Sequence, residues 1–332
     1  MQAADGPLTP DALRLDPPAA LTEIANTLPE LVFRRLRKRG AIVAVSGGID
    51  SSVAAALCVH ALGADRVLAL LLPESESSGD TLDLSNLLVE HLGIESIVED
   101  ITPILDAAGC YQRRDEAIRT VVAEFSSEWK AKLVLPSVLA SKRLPVFSIV
   151  VESPAGERTQ ARLTADAYRS VVAATNFKQR TRKMLEYYHA DRLDWAVMGT
   201  PNRLEYDQGF FVKGGDGLAD VKPIAHLYKT QVYQLAEELG IPEEIRSRPP
   251  TTDTYSLPQS QEEFYFSVPY NVLDLCLYAL NNSIPADAVT DAAGLAEEDV
   301  ERVFRDIASK RRATAYLHER PLLIEPVPEI ES

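Results

Sequence analysis

The chain has 332 residues, of which 46% are hydrophobic, and its formal net charge is −15. This length and apolar content suffice for one large α/β domain or two modest ones. The acidic balance argues against a large nucleic-acid-binding surface, and no apolar run approaches the ~20 residues that a membrane span needs. Three cysteines lie far apart and outside any CxxC pattern, which predicts neither a disulfide framework nor a zinc site. We therefore expect a cytoplasmic protein without nucleic acid or membrane partners.

Residues 1–19 are rich in Pro, Ala and Asp and predict a flexible leader, whereas 326–332 predict an acidic tail. Between them, residues 20–325 predict a single domain in which short apolar runs alternate with amphipathic segments. This pattern is typical of a doubly wound parallel sheet with helices on both faces, a Rossmann-like α/β fold. The predicted elements are, in chain order, a helix at 21–40, a strand at 41–45, a helix at 50–62, a strand at 67–72, a helix at 81–92, a strand at 96–99, helices at 111–132 and 177–190, and a strand at 195–198.

Two segments interrupt the alternation. Residues 133–165 contain two β-rich runs around Ser-Pro-Ala-Gly, which predict a β-hairpin insertion. Residues 246–261 are rich in Pro, Thr and Ser and predict a long loop, a feature that is often functional in a compact domain. The remainder, 262–318, predicts a mostly helical C-terminal part.

The stretch AIVAVSGGIDSS at 41–52 carries the clearest chemical signal. Strand, glycine turn and helix N-terminus together cradle phosphate, because backbone amides and the positive helix end face the oxygens. Asp50 would repel a bare phosphate, so we predict that it holds Mg²⁺ there. A plain helix N-cap is the alternative, and the several polar side chains at these offsets favour the phosphate site. The predicted pyrophosphate-binding residues are Ser46, Gly47, Gly48, Asp50, Ser51 and Ser52.

This stretch resembles the SGGxDSS loop of the N-type ATP pyrophosphatases, which cleave ATP between the α- and β-phosphates. Further segments at 176–184 (NFKQRTRKM), 199–245 and 248–253 (RPPTTD) are similar to signatures of one of its families. Over about residues 20–320 the chain resembles the NAD synthetase family, in its ammonia-dependent type without a fused glutaminase domain. The resemblance implies the adenine nucleotide alpha hydrolase-like fold for the predicted sheet.

The resemblance also implies nucleotide-side roles. Asp50 and Glu205 would bind Mg²⁺ at the carboxyl edge of the sheet. Lys229 and Thr251 would act on the phosphates and form, with Asp50, the catalytic set; Thr252 is the alternative to Thr251. Taken singly, each of these residues could be an ordinary cap or solvated residue, whereas the set indicates a site. The further residues implied to bind ATP are Arg180, Thr200, Lys229 and Thr251.

On the acceptor side, the resemblance implies that Lys213 and Asp220 bind the substrate. Arg182 is two residues from the implied ATP ligand and is expected to pair with a surface acid. His226 is interpreted as structural. The proton released by ammonia could go to Asp220 or Asp253.

The implied reaction is ATP-dependent amide formation through an acyl-adenylate, with deamido-NAD as the default acceptor, and with AMP and pyrophosphate as products. Ammonia would be the nitrogen donor, either free or delivered by a separate glutaminase, and a homodimer is expected. An altered segment after Thr251, including Phe264, Tyr265 and Phe266, leaves open a different carboxylate from specialised metabolism. A nucleotide-binding subunit without turnover is the second alternative.

Overall fold

The computed structural model describes residues 8–135, 139, 147–251, 254–266 and 268–330. The strands are β1 (Ala41–Ala44), β2 (Val67–Leu71), β3 (Glu95–Val98), β4 (Lys130–Val134), β5 (Ser148–Glu152), β6 (Arg158–Arg162) and β7 (Ala196–Met198). The α-helices are α1 (Pro17–Pro29), α2 (Ile49–Leu62), α3 (Gly79–Leu92), α4 (Thr102–Ala107), α5 (Cys110–Arg119), α6 (Ala165–Leu193), α7 (Arg203–Gln208), α8 (Lys229–Glu238), α9 (Glu243–Arg246), α10 (Tyr270–Asn281), α11 (Thr290–Ala293) and α12 (Glu297–His318). Short 3₁₀ turns occupy Pro10–Leu13, Ala64–Arg66 and Ala286–Val289, and π-helical turns occupy Glu30–Arg35 and Glu262–Phe266.

A four-stranded parallel sheet, in the order β3-β2-β1-β7, organises the larger part of the chain. The side chains of β1, β2 and β7 alternate between two buried faces, as strands covered on both sides require, whereas β3 is mostly exposed. Val43 and Ala69 face a core shared with α1, α2 and α8. Ile42 and Leu70 face a second core shared with α4 and α6. The predicted parallel sheet with helices on both faces is confirmed.

The connections between the strands define where a ligand can bind. From β1 the chain moves outward through β2 to β3, then returns to place β7 on the other side of β1. A crevice opens at such a reversal, beyond the carboxyl ends of the strands. The segments that follow β1 and β7 meet there, and they carry Asp50 and Glu205.

The predicted hairpin insertion is one part of a three-stranded antiparallel sheet, in the order β4-β5-β6. The hairpin itself, β5 and β6, is present. The prediction of a helix over 111–132 is wrong beyond Arg119, because Lys130–Val134 pairs with β5 and buries Ala131 and Leu133. Residues 136–138 and 140–146 of the predicted insertion lie outside the described residues.

The predicted flexible leader is wrong for residues 8–19. Leu8 and Leu13 are buried in a core formed with α10, α11 and α12. The Leu8 amide donates to the Ala288 carbonyl at 3.0 Å, and the Leu15 amide donates to Gln234 Oε1 at 2.8 Å. The prediction relied on the proline-rich composition of this segment and overlooked its two buried leucines. Residues 1–7 lie outside the described residues.

The C-terminal part is helical, as predicted, and the segment after α12 is exposed up to residue 330. The three cysteines, Cys58, Cys110 and Cys276, are free and buried. Within the described residues, no helix combines the length and the apolar character needed to cross a bilayer.

We expect Leu13→Ala to lower the free energy of unfolding by about 2–4 kcal/mol, because it opens a cavity in the C-terminal helical core. Chemical denaturation monitored by circular dichroism measures this. Leu322→Ala is the matched control, since Leu322 is 84% exposed, and it should change the stability by less than about 0.5 kcal/mol. Equal effects of the two substitutions would contradict a packed N-terminal segment.

Candidate active site

A cavity of about 540 Å³ opens at the carboxyl ends of β1, β2 and β7. Its walls come from the loops after these strands, from α6, from the segment before α10 and from the end of α12. Both apolar and charged side chains line it, as is common in ligand sites. The predicted site residues that line it are Ser46, Gly48, Asp50, Ser51, Arg180, Thr200, Glu205, Lys213, Lys229 and Thr251.

The loop between β1 and α2 has the geometry of an anion cradle. Gly47 has a φ of +66°, and a Cβ there would lie 2.8 Å from Leu84 Cβ and 2.9 Å from the Thr81 carbonyl oxygen. Only glycine therefore fits this turn. Gly48 precedes the first residue of α2, so the amides of the first helical turn face the cavity.

The serines of this loop divide into two kinds. Ser46 and Ser51 line the cavity with their hydroxyl oxygens 3.3 Å apart, and Ser51 Oγ accepts from the Ser46 amide at 3.2 Å. Ser52 is fully buried, does not line the cavity, and donates to the Gly48 carbonyl at 2.9 Å. Sequence reasoning predicted phosphate contacts for all three hydroxyls, whereas the structure brings two of them to the cavity and uses the third to close the turn.

Asp50 and Lys229 form an ion pair at the bottom of the cavity. The Lys229 side chain is fully buried, and Asn202 Nδ2 donates to Asp50 Oδ1 at 3.0 Å. Burial opposes the charge of Lys229, but the carboxylates of Asp50 and Glu205 outweigh it and raise the pKa of this lysine. The ammonium therefore stays charged at neutral pH, beside the loop between β1 and α2.

Glu205 is the second acid of this cluster. One of its oxygens accepts from the Asn202 amide at 3.0 Å, and the other accepts from Gln261 Nε2 at 3.1 Å. Burial, together with the negative charge of Asp50, raises the pKa of Glu205 to about 8. Glu205 therefore holds a proton more readily than an ordinary glutamate, and its ionisation beside Asp50 would leave two carboxylates for the one ammonium of Lys229.

These residues fit a magnesium ion. Mg²⁺ is commonly held by one or two carboxylates together with substrate phosphates, and Asp50 and Glu205 supply that set beside the phosphate cradle. Within the described ranges, no group of three or more His, Cys, Asp or Glu side chains could hold a metal without such a substrate.

Two arginines of α6 line the same cavity. Arg180 Nε donates to the Lys213 carbonyl at 3.3 Å, and Arg182 Nε donates to the Leu72 carbonyl at 3.2 Å. The expectation that Arg182 pairs with a surface acid is wrong, since this hydrogen bond joins α6 to the end of β2. Thr251 is exposed at the cavity and forms a bridge with Ser260.

The predicted acceptor residues differ in position. Lys213 lines the cavity, and its Nζ donates to the carbonyls of Tyr316 and Glu319 at 2.7 and 3.2 Å. Asp220 does not line it, because its carboxylate accepts from the Val197 amide of β7 at 2.7 Å and from Tyr187 at 3.2 Å.

A different acid, Asp216, lies at the cavity and accepts from the Val212 amide at 2.7 Å. His226 does not line the cavity. Thr252 and Asp253 lie outside the described residues.

Sequence reasoning missed two polar residues that organise the acid cluster. Asn202 and Glu205 form a capping box at the start of α7, so the Asn-x-x-Glu spacing was a usable signal. Gln261 comes from the long loop before α10, and the sequence gives no local indication that it contacts Glu205.

Aromatic side chains form an apolar wall of the cavity. The rings of Phe210 and Tyr265 lie 4.7 Å apart, and those of Phe147 and Tyr168 stack at 4.2 Å. Phe264 lies beside Phe210 at 5.8 Å. These rings make this side of the cavity apolar.

Comparisons with known proteins identify the family of this chain. A family model described as NAD synthase matches residues 21–134 and 139–314. A relative from Mesorhizobium japonicum is 58% identical over 94% of this chain and 98% of its own length. A relative from Rhizobium meliloti is 57% identical over 97% and 96%. Both carry the name NH(3)-dependent NAD(+) synthetase.

Two solved structures share the fold at 22% identity. An NH3-dependent NAD synthetase from Campylobacter jejuni matches with a TM-score of 0.61, over 94% of this chain and all of its own. An NMN synthetase from Francisella tularensis matches with a TM-score of 0.63, over 95% of this chain and all of its own. The expected adenine nucleotide alpha hydrolase-like fold is confirmed.

We expect Gly47→Ala to abolish nucleotide binding, because the methyl group would collide with Leu84 and the Thr81 backbone. Gly63→Ala is the matched control: Gly63 also has a positive φ, +88°, but no atom lies within 4 Å of an added Cβ. Isothermal calorimetry with ATP and magnesium compares the two variants. Retained binding in Gly47→Ala would contradict the proposed cradle.

The raised pKa of Glu205 predicts a pH-dependent stability in the absence of divalent cations. Because the folded pKa exceeds the unfolded one, Glu205 stabilises the fold below about pH 4.5, and this contribution is lost as the pH rises toward 8. Between pH 5 and 8 the wild type should lose roughly 2–4 kcal/mol relative to Glu205→Gln. Urea denaturation at both pH values measures the difference, with the exposed Glu244→Gln as control. Parallel pH profiles of the wild type and Glu205→Gln would contradict the assignment.

Proposed function

Because the chain belongs to the NAD synthase family, we propose that it joins ammonia to the carboxylate of deamido-NAD while ATP is cleaved to AMP and pyrophosphate. The observation that carries this proposal is the cluster of Asp50, Lys229 and Glu205 beside the pyrophosphate loop at the switch point of the sheet. The names of relatives at 53–58% identity support the same reaction. The chain is accordingly a carbon–nitrogen ligase.

In the first step, a carboxylate oxygen of the acceptor attacks the α-phosphorus of ATP. The bond from the α-phosphorus to the bridging oxygen breaks, pyrophosphate leaves, and an acyl-adenylate forms. The amides of the first turn of α2 and the ammonium of Lys229 stabilise the charge that develops on pyrophosphate. The hydroxyls of Ser46, Ser51 and Thr251 can donate to its oxygens.

We propose that Asp50 and Glu205 hold Mg²⁺ when ATP is bound. The ion would neutralise phosphate charge and fix the geometry of the leaving group. Asn202 orients both carboxylates, and Gln261 fixes the outer oxygen of Glu205. Arg180 and Arg182, on α6, supply further positive charge to the nucleotide.

In the second step, neutral ammonia attacks the acyl carbon, AMP departs with the electron pair of the broken C–O bond, the nitrogen gives up one proton to the departing phosphate, and an amide remains. The aromatic wall of Phe210, Phe264 and Tyr265 restricts water, which would otherwise hydrolyse the adenylate. Lys213 lies at the cavity to bind the acceptor. Asp220, also expected to bind it, does not line this cavity, and we do not propose it as the proton acceptor.

Among the acceptors left open by the sequence, deamido-NAD is the one that the names of the relatives support. The Francisella tularensis structure shares the fold alone and does not indicate an acceptor. Asp50 and Glu205 provide two carboxylates that could hold Mg²⁺ beside the candidate phosphate cradle. This arrangement favours an active enzyme over a subunit without turnover. A homodimer, a separate glutaminase and a cytoplasmic location stay predictions.

The decisive assay combines the pure protein with ATP, magnesium, ammonium and deamido-NAD. Equal amounts of NAD and AMP should form, and Asp50→Asn should lower kcat by at least about 100-fold, because it removes a carboxylate that we propose to hold Mg²⁺ against the leaving group. Asp166→Asn, at a side chain that is 90% exposed, is the control and should keep full activity. Chromatographic separation of the nucleotides quantifies NAD and AMP in the same sample. Absence of NAD with intact ATP binding would contradict the proposed acceptor.

A further inference from the structure

Behind one wall of the cavity lies a buried charged network that the proposed mechanism does not use. Lys178 of α6 is 1% exposed at its side chain and forms ion pairs with Glu74 at 2.8 Å and with Glu76 at 2.6 Å. Arg114 of α5 pairs with Glu76 at 2.5 Å and with Asp115 at 2.8 Å. Glu74 and Glu76 belong to the loop after β2, at the carboxyl edge of the sheet that carries the site.

The Lys178 ammonium has three protons, and three acceptors receive them. Two are the carboxylates of Glu74 and Glu76, and the third is the carbonyl oxygen of Thr254, at 3.0 Å. Thr254 comes from a different segment, the long loop that precedes α10. One ammonium thus joins α6, the loop after β2 and this segment at a single point.

The segment Thr254–Gln261 bears directly on the active site. Thr254 and Tyr255 line the cavity at one end, and Gln261 at the other end donates to Glu205. It also contains Ser260, which bridges to Thr251, and is therefore linked to both the acid cluster and the candidate phosphate ligand.

The segment contains no α-helix or strand before residue 261, so its position depends on contacts with other elements. Hydrogen bonds to β4 hold its middle, for example from the Leu257 amide to the Ala131 carbonyl at 3.2 Å. Lys178 holds the first residue of the segment, Thr254, which lines the cavity.

We propose that Lys178 is a positioning residue of this enzyme, which fixes the segment Thr254–Gln261 and through it Thr251 and Gln261. A fully buried ammonium with three acceptors holds a backbone carbonyl more firmly than an exposed side chain does, because water cannot compete for its protons. The kinetic effects expected of this role rest on the proposed function, because they are measured with ATP as the substrate. Loss of the link should weaken ATP binding more than it slows the chemical step.

The test must separate the link from the cost of unpaired buried charge. Lys178→Met alone leaves carboxylates without their cation and can unfold the protein. The double variant Lys178→Met/Glu74→Gln removes one positive and one negative charge, so the net charge of the network is unchanged. The amide introduced by Glu74→Gln retains an oxygen that can accept from Tyr111, and Glu76 keeps its ion pair with Arg114. Both acid positions thus keep another hydrogen bond, whereas the link from Lys178 to Thr254 is lost.

Hydrogen exchange read by mass spectrometry and steady-state kinetics together test the proposal. In the double variant, we expect faster exchange in peptides covering 254–261, unchanged exchange in β1 and β2, a KM for ATP about tenfold higher, and a kcat within about threefold of the wild type. Lys38→Met is the control. It breaks the ion pair with Asp194 at the opposite edge of the sheet and should change neither reading.

Unchanged exchange in peptides covering 254–261 of a folded double variant would overturn the proposal, as would a lower kcat with an unchanged KM. Faster exchange throughout the sheet would also overturn it, since Lys178 would then support the whole fold. Exchange needs no substrate and therefore decides the positioning role by itself. A wild type that makes no NAD would overturn the proposed function and leave the positioning role of Lys178 intact.

Discussion

The buried ion pair between Asp50 and Lys229 is the interaction on which the site depends. It joins residues 179 positions apart in the chain, one after β1 and the other at the start of α8. Burying two charges is costly unless further hydrogen bonds satisfy them. Asn202 supplies one such bond to Asp50. Asp274 supports the other partner, because it accepts from the amides of Lys229 and Thr230 and so fixes the start of α8. The elements around the cavity are thereby held to one another through charge as well as through apolar packing.

The sequence predicted the parallel sheet because β1 and β2 are short, continuous apolar runs that end shortly before a serine–glycine turn and a proline, respectively. The prediction of secondary structure was wrong where one segment fitted both a helical and a strand pattern. Residues 111–132 look amphipathic over their whole length, yet Lys130–Val134 also alternates polar and apolar residues, and pairing with β5 decided the outcome. The leader was misjudged because composition averages over a segment, whereas two leucines are enough to anchor it.

The residues of the site divide in the same way. Asp50 was predicted from the strand–glycine–helix pattern, whereas Glu205 and Lys229 were implied by the family resemblance; the topology brings all three to one edge of the sheet. Asp220 was expected at the acceptor site but does not line the cavity, because its carboxylate accepts from the Val197 amide. No local sequence motif indicates this tertiary contact. The roles of Gln261 and Lys178 were not predicted for the same reason, because their hydrogen-bond partners are distant in the chain.

The packing of the N-terminal segment has a consequence for synthesis on the ribosome. Leu8 and Leu13 are synthesised long before their partners, Ala288 and the helices α10 to α12. At about 5–20 residues per second, the segment must wait roughly 14–60 seconds for these partners to emerge. β1 likewise waits for β7. The nascent chain therefore exposes these apolar side chains until α10 to α12 have left the ribosome, and this part of the domain folds only when the two distant segments meet.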